Sequence, residues 1–178
     1  MHPWHQVSPG KDIPQKVTAL IEISKGSKAK YEIDKESGLL KLDRVLFSAV
    51  HYPANYGFIP QTYAGDNDPL DILVISQIDF PPLTLVEATV IGVMRMIDKD
   101  EMDDKIIAVA THDISVNLIN SLDSMPEYLL KEIHRFFEDY KQLEQKSKVV
   151  VNQFLGKDAA YEIILESIEA YSKKFQKG

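Results

Sequence analysis

The sequence predicts an α+β fold that is mainly β. From Val17 to Ala110 the chain breaks into strand-length apolar or alternating runs separated by turn residues. After Pro126 the apolar residues recur at helical spacing instead. No internal repeat, low-complexity stretch or shift in composition divides the 178 residues, which suffice for a single domain, 1–178, with a proper core.

Residues 1–16 carry Pro3, Pro9, Gly10 and Pro14 and read as an irregular N-terminal arm, with His2 and His5 in a solvated terminus. Val17 to Ile23 alternates well enough for a strand; Glu22 within it belongs on the wet face unless it lines a pocket. Lys25-Gly26-Ser27-Lys28 lacks the upstream glycine and the G-K-[ST] ending of a phosphate loop. Lys30 to Ile33 is a strand with Lys30 and Glu32 on one face, and after the Ser37-Gly38 turn Leu39 to Val45 is another, containing Arg44. Tyr52 to Pro60 holds two further prolines, Gly57 and several aromatics, and reads as rigid and irregular. A tyrosine hydroxyl buried there needs a partner, and a phosphoryl oxygen serves. Ile72 to Ile75 is an apolar strand, Pro81-Pro82 a turn, and Leu85 to Met96 a long β-type run. The acid-rich Asp98 to Lys105 leads into a strand at Ile106 to Ala110. Leu129, Ile133, Phe136, Phe137, Tyr140 and Leu143 mark a helix with Ser124 as its N-cap; spacing makes Tyr140 a core residue and Lys141 a surface one. His51, His112 and His134 have no partner at metal-ligand spacing. Lys148 to Phe154 is a last strand, and Asp158 to Phe175 a final helix with Ile163, Ile164, Ile168 and Tyr171 inward.

Composition narrows the function. The net charge is 20 − 27 = −7, whereas a nucleic-acid binder shows a basic face. The chain has no cysteine, which removes disulfides, thiol catalysis and zinc-thiolate sites. The N-terminus lacks a basic start followed by an apolar run, and no stretch approaches transmembrane length, so the chain reads as cytoplasmic, with neither membrane nor nucleic acid as a partner.

The chemistry concentrates in Gly65-Asp66-Asn67-Asp68-Pro69-Leu70-Asp71-Ile72. Asp66 and Asp68 share a face in extended chain, and Pro69 bends the path so that Asp71 converges on them. A turn accounts for Asp66 to Pro69 but not for Asp71, a charge at the mouth of an apolar strand. Carboxylates this close repel one another, so a positive group sits between them or they splay into water. An EF-hand counted from Asp66 fails at Leu70, Asp71 and Gln77. What remains is a hard-cation site of carboxylates, an arrangement magnesium prefers when a phosphate completes its octahedron. Asp98 and Asp103, one strand connection further on, are placed to fold over the same cluster.

This octapeptide matches the D-x-D-P-x-D signature of the soluble family I inorganic pyrophosphatases. Ile21-Glu22-Ile23, Lys30-Tyr31-Glu32, Leu42-Asp43-Arg44, Tyr52 to Gly57, Asp98 to Lys105 and Phe136 to Lys141 follow in the family's order, so the sequence resembles that family from about Ala19 to Leu143 and more weakly beyond. Its compact length is similar to the bacterial and archaeal branch. The resemblance implies an OB-like five-stranded closed β-barrel with flanking helices, a homo-hexamer, several Mg²⁺ ions per active site, and pyrophosphate as substrate, hydrolysed to two orthophosphates by a metal-activated water. It implies Asp66, Asp71 and Asp103 as the tightest magnesium ligands, with Asp98 and Asp103 on a third ion, Glu32 on a fourth and Glu22 in the acidic shell. Asp68 matches the general base. Lys30, Arg44, Tyr56, Lys105, Tyr140 and Lys141 match the residues that bind the phosphoryl groups, with Tyr52 nearby. The one departure is peripheral: Asn152-Gln153-Phe154-Leu155-Gly156 stands where the family has a tryptophan-containing segment. Chemically the pattern is coherent, because pyrophosphate repels an anionic nucleophile until cations neutralise its oxygens. Two other readings remain: a non-catalytic OB module binding polyphosphate or nucleic acid, which wants basic and stacking residues, and a nucleoside triphosphate hydrolase, which wants a base-recognition pocket.

Overall fold

The computed structural model describes residues 2–98, 101–141 and 150–175, the side chains of Asp98, Glu101 and 150–152 excepted. Nine strands and three α-helices follow one another among them: α1 (Pro3–Gln6), β1 (Lys16–Ile23), β2 (Ala29–Ile33), β3 (Leu40–Val45), β4 (Asn55–Phe58), β5 (Asp71–Ile75), β6 (Leu85–Asp98), β7 (Glu101–Met102), β8 (Lys105–Ala110), α2 (Glu127–Asp139), β9 (Val150–Gly156) and α3 (Lys157–Phe175).

Five strands form a ring, in the order β1-β4-β5-β8-β6 and back to β1. This is the OB-like barrel, and its closure is uneven. β1 gives Lys16 to Leu20 to β6 and Leu20 to Ile23 to β4, so one strand divides its length between two neighbours. β6 is long enough to pair with β1 near its start, β8 in its middle and β9 towards its end. Every pairing in the ring is antiparallel except β5 with β8. That parallel pair opposes Asp71 to Lys105, each the first residue of its strand. β2 and β3 form a separate two-stranded sheet.

Both faces of the inner strands are buried, which explains their unbroken apolar runs. Leu73, Ile107 and Val109 pack with Ile133, Phe136 and Phe137 of α2, while Ile72, Val74, Ile106 and Ala108 pack with Ala160 and Ile164 of α3.

Several expectations change. The stretch Tyr52 to Pro60 is not wholly irregular: Asn55–Phe58 is a fully buried strand, with Pro53 and Pro60 outside it, where they cost no ladder hydrogen bond. Gly57 is what lets this strand lie against β1, since a Cβ there would stand 1.8 Å from the Leu20 carbonyl oxygen. Ser124 does not cap α2; it ends a 3-10 turn and bonds the Ser121 hydroxyl, and Pro126 holds the N-cap position with Glu127 in the first turn. The helix ends at Asp139, and Leu143 lies outside the described residues. The N-terminal arm contains the turn of helix Pro3–Gln6 with Trp4 buried, and His5 bonds the Tyr171 hydroxyl at 2.7 Å. The segment 152–156 belongs to β9, where Phe154 opposes Met94 and packs on the α2 core.

Candidate active site

The residues named from sequence, Arg44 and Asp98 apart, meet at one cleft of about 520 Å³. The chain turns into it before β5. The Asp66 carboxylate accepts the Asp68 N–H at 3.1 Å, the Asx turn that the composition suggests, and Asn67 between them is left-handed at φ 69°. Asparagine tolerates that region better than other non-glycine residues, so the two aspartates can flank a tight reversal.

The parallel register then sets the floor. Lys105 is only 2% exposed, and its Nζ donates to Asp71 Oδ2 at 2.7 Å, to Asp103 Oδ1 at 2.8 Å and to the Tyr56 hydroxyl at 3.1 Å. It also lies 5.5 and 5.4 Å from the ring centres of Tyr56 and Phe137. Burial pushes the Lys105 ammonium down, but Asp103 and Asp71 outweigh it and hold the group well above its ordinary value. The positive group that the acidic cluster requires is therefore Lys105, for Asp71 and Asp103. Asp68 splays the other way and pairs with Lys35 from the β2–β3 turn.

The remaining carboxyls feel burial first and one another second. Burial and the Asp71 charge push Asp66 up to about 6. Burial also raises Asp71, against the opposing pull of Lys105. Glu22, 7% exposed at the end of β1, is pushed up to about 8 mainly by burial, although it accepts the Ile33 N–H at 2.7 Å. It lines the cleft rather than the wet face.

The rest of the lining includes cations and aromatic rings. Lys30, Tyr52, Tyr140 and Lys141 belong to it, with Glu32. Lys30 and Arg44 are paired across β2 and β3 and share Asp43 Oδ2 at 2.9 and 2.8 Å. Partial burial pushes the Asp43 carboxyl up, and Lys30 and Arg44 more than reverse this. Arg44 is not among the residues lining the cleft, but its guanidinium carbon is 6.0 Å from the Tyr140 ring centre, and Lys141 Nζ is 5.1 Å from the same ring. Tyr140 is thus a core residue whose ring also faces two cations.

Comparison with known proteins decides the family. The inorganic pyrophosphatase family model matches residues 19–172. The chain belongs to the inorganic pyrophosphatase family. As a hydrolase of that family it cleaves inorganic pyrophosphate. It is 47% identical over 174 residues to soluble inorganic pyrophosphatase 2 of Chlamydomonas reinhardtii, covering 98% of this chain and 90% of that one. With soluble inorganic pyrophosphatase 1 of Arabidopsis thaliana it shares 48% identity, covering 97% and 81%. Among solved structures, the inorganic pyrophosphatase of Thermus thermophilus superposes with a TM-score of 0.92 at 40% identity, covering 96% of this chain and 99% of that one. That of Helicobacter pylori gives 0.89 at 40% identity, covering 94% and 99%.

Within this pyrophosphatase the structure brings Asp66, Asp68, Asp71, Asp103, Glu22 and Glu32 to one cleft, and the side chain of Asp98 lies outside the described residues. Among the described residues no three carboxylate or imidazole side chains stand close enough to hold an ion as a group. Lys105 separates Asp71 from Asp103 by bonding both. The donor set nonetheless fits a hard divalent cation: every candidate ligand is a carboxylate oxygen, and burial raises Asp66 and Asp71, a shift that an added cation would oppose by favouring the charged form. Sequence reasoning assigned no role to Lys35 or Asp43, which meet Asp68 and Arg44 directly. Asp43 had a signal, its place in Leu42-Asp43-Arg44. Lys35 had none beyond lying in a turn.

Proposed function

We propose that pyrophosphate is hydrolysed in this cleft in a magnesium-dependent reaction with Asp68 as the general base. The observation that carries this is the β5–β8 register, which gathers Asp71, Lys105 and Asp103 at the foot of a cleft also lined by Asp66, Asp68, Lys30 and Lys141. Carboxylates and cations lining one cleft suit a substrate that needs both metal ions and side-chain donors. Asp66, Asp71 and Asp103, with Asp98, would hold magnesium, Glu32 would hold a further ion and Glu22 would stand in the acidic shell; magnesium would supply charge for the phosphoryl oxygens and make the attacking water more acidic. Asp68 removes one proton from that water as its oxygen forms the new bond to phosphorus. The bridging P–O bond breaks and its electron pair leaves with the second phosphate. Lys30, Lys105 and Lys141 absorb charge as point donors; Tyr56 and Tyr140 donate through their hydroxyls. Arg44 offers the planar fork that matches two phosphoryl oxygens. We infer also that residues 1–178 form a single pyrophosphatase domain, acting in the cytoplasm as a homo-hexamer; the support for this is the family resemblance, and sedimentation equilibrium tests the assembly.

The division of labour among the aspartates is tested by rate measured against pH and free magnesium. Asp68→Asn keeps shape but loses the proton acceptor. Its rate should fall by about 10²–10⁴ at neutral pH, climb with alkali, and gain nothing from extra magnesium. Asp71→Asn should weaken magnesium affinity, so that its rate needs more magnesium and recovers partly at high magnesium. Rescue of Asp68→Asn by magnesium, with indifference to alkali, would make Asp68 a ligand and not the base.

A further inference from the structure

Trp4 is the only tryptophan in the chain and belongs to the arm that precedes the barrel. It is 5% exposed, stacks on His5 at 4.7 Å and meets the Phe175 ring edge-on at 5.3 Å, so α1 is packed against the end of α3. Its polar atoms go elsewhere. The indole N–H donates to the Thr62 carbonyl at 2.8 Å, and the Trp4 carbonyl accepts the Gln61 N–H at 2.9 Å.

Thr62 is fully buried and closes the base of the acidic loop. Its hydroxyl donates to the Ile59 carbonyl at 2.6 Å and accepts the Leu70 N–H at 2.8 Å. Ile59 N–H in turn donates to the Leu70 carbonyl at 2.9 Å, so the two ends of the loop are tied together at Thr62. Within the loop, Ala64 N–H donates to the Asp68 carbonyl at 2.8 Å. On the other side Tyr63 N–H donates to the Ser167 carbonyl of α3 at 2.9 Å, and the Tyr63 hydroxyl bonds the Asn67 side chain between Asp66 and Asp68.

We propose that Trp4 and Thr62 are positioning residues for catalysis: the N-terminal arm clamps the base of the 63–71 loop and so sets where Asp66, Asp68 and Asp71 stand. The inference rests on the reading that these three aspartates carry the chemistry. Trp4 also lines the cleft, but the role proposed for it runs through its hydrogen bonds to Thr62 and Gln61. The clamp acts through backbone, and misplacing reacting groups by about 1 Å costs on the order of a hundredfold in rate.

Two conservative variants test it. Trp4→Phe keeps an aromatic ring in the same packing and deletes the indole donor; Thr62→Val keeps the volume and deletes the hydroxyl that joins Ile59 to Leu70. Each is read by hydrogen exchange of the loop amides in chelator and by pyrophosphate hydrolysis with magnesium. The clamp predicts about tenfold faster exchange confined to residues 63–71, since a buried partner is left unmatched, and a kcat about three- to tenfold lower with KM nearly unchanged. Thr62→Val should exceed Trp4→Phe in both. Loop exchange like wild type in both variants overturns the proposal, as does faster loop exchange with unaltered kcat, or a loss of kcat in which exchange rises evenly across the barrel. The exchange measurement needs neither metal nor turnover, so an error in the assignment of the aspartates would leave it able to decide the clamp.

Discussion

Lys105 touches two carboxylates and a phenol and almost no water, so its removal exposes what it balances. Lys105→Met fits the same space without charge. Asp71 and Asp103 then face each other uncompensated, and loss of one partner from a buried ion pair typically costs about 3–5 kcal/mol. We expect urea denaturation in EDTA to show a loss of that order, and magnesium to restore part of it by supplying the missing charge. An equal loss with and without magnesium would mean that the carboxylates do not share a cation. The sequence made half of this legible. Three aspartates within six residues demand a cation, and Asp71 at the start of an apolar strand marks which one is buried. That the cation for Asp71 is Lys105 was not legible, because the two lie 34 positions apart and only the strand register brings them together. Lys35 and Trp4 were missed for the same reason: each works through a contact remote in sequence, and neither stands in a motif.

Strands and helices were legible wherever one periodicity dominates. The helical spacing from Leu129 onward and the unbroken apolar runs of β5 and β8 needed no partner to be read. β4 was hidden because its four residues lie between prolines and carry a glycine whose purpose is the close approach of β1. β1 carries a prediction of its own. Glu22 sits at its inner end with a carboxyl pushed up to about 8 by burial, against 4.5 for the exposed group. The folded chain therefore binds more protons than the unfolded chain between those values, and stability must fall as pH rises from about 4.5 to about 8. Asp66, raised to about 6, adds to the same slope over the lower part of the window. Glu22→Gln still accepts the Ile33 N–H and has no proton to lose. In EDTA, its denaturation free energy should decline less steeply than wild type across that window, by a total on the order of a few kcal/mol. Parallel curves for the two proteins would show that Glu22 is charged in the folded state throughout.

At the scale of the whole molecule, the barrel was reached by resemblance and not by pattern. Antiparallel strands with helices to follow fit several β architectures, and ring closure depends on β1 dividing its pairing between β4 and β6, which no local signal announces. The candidate site inherits that dependence: its lining comes from the loop before β5, the β7–β8 connection, the β2–β3 sheet and the end of α2. Such a cleft has cations and carboxylates enough for a small, highly charged anhydride. Orthophosphate release from pyrophosphate, tripolyphosphate and nucleoside triphosphates, each with magnesium and with excess EDTA, tests this directly. The account predicts two orthophosphates per pyrophosphate with magnesium, far slower release from the other substrates, and none in EDTA. Full pyrophosphate hydrolysis in EDTA, or equal rates on nucleotides, would contradict it.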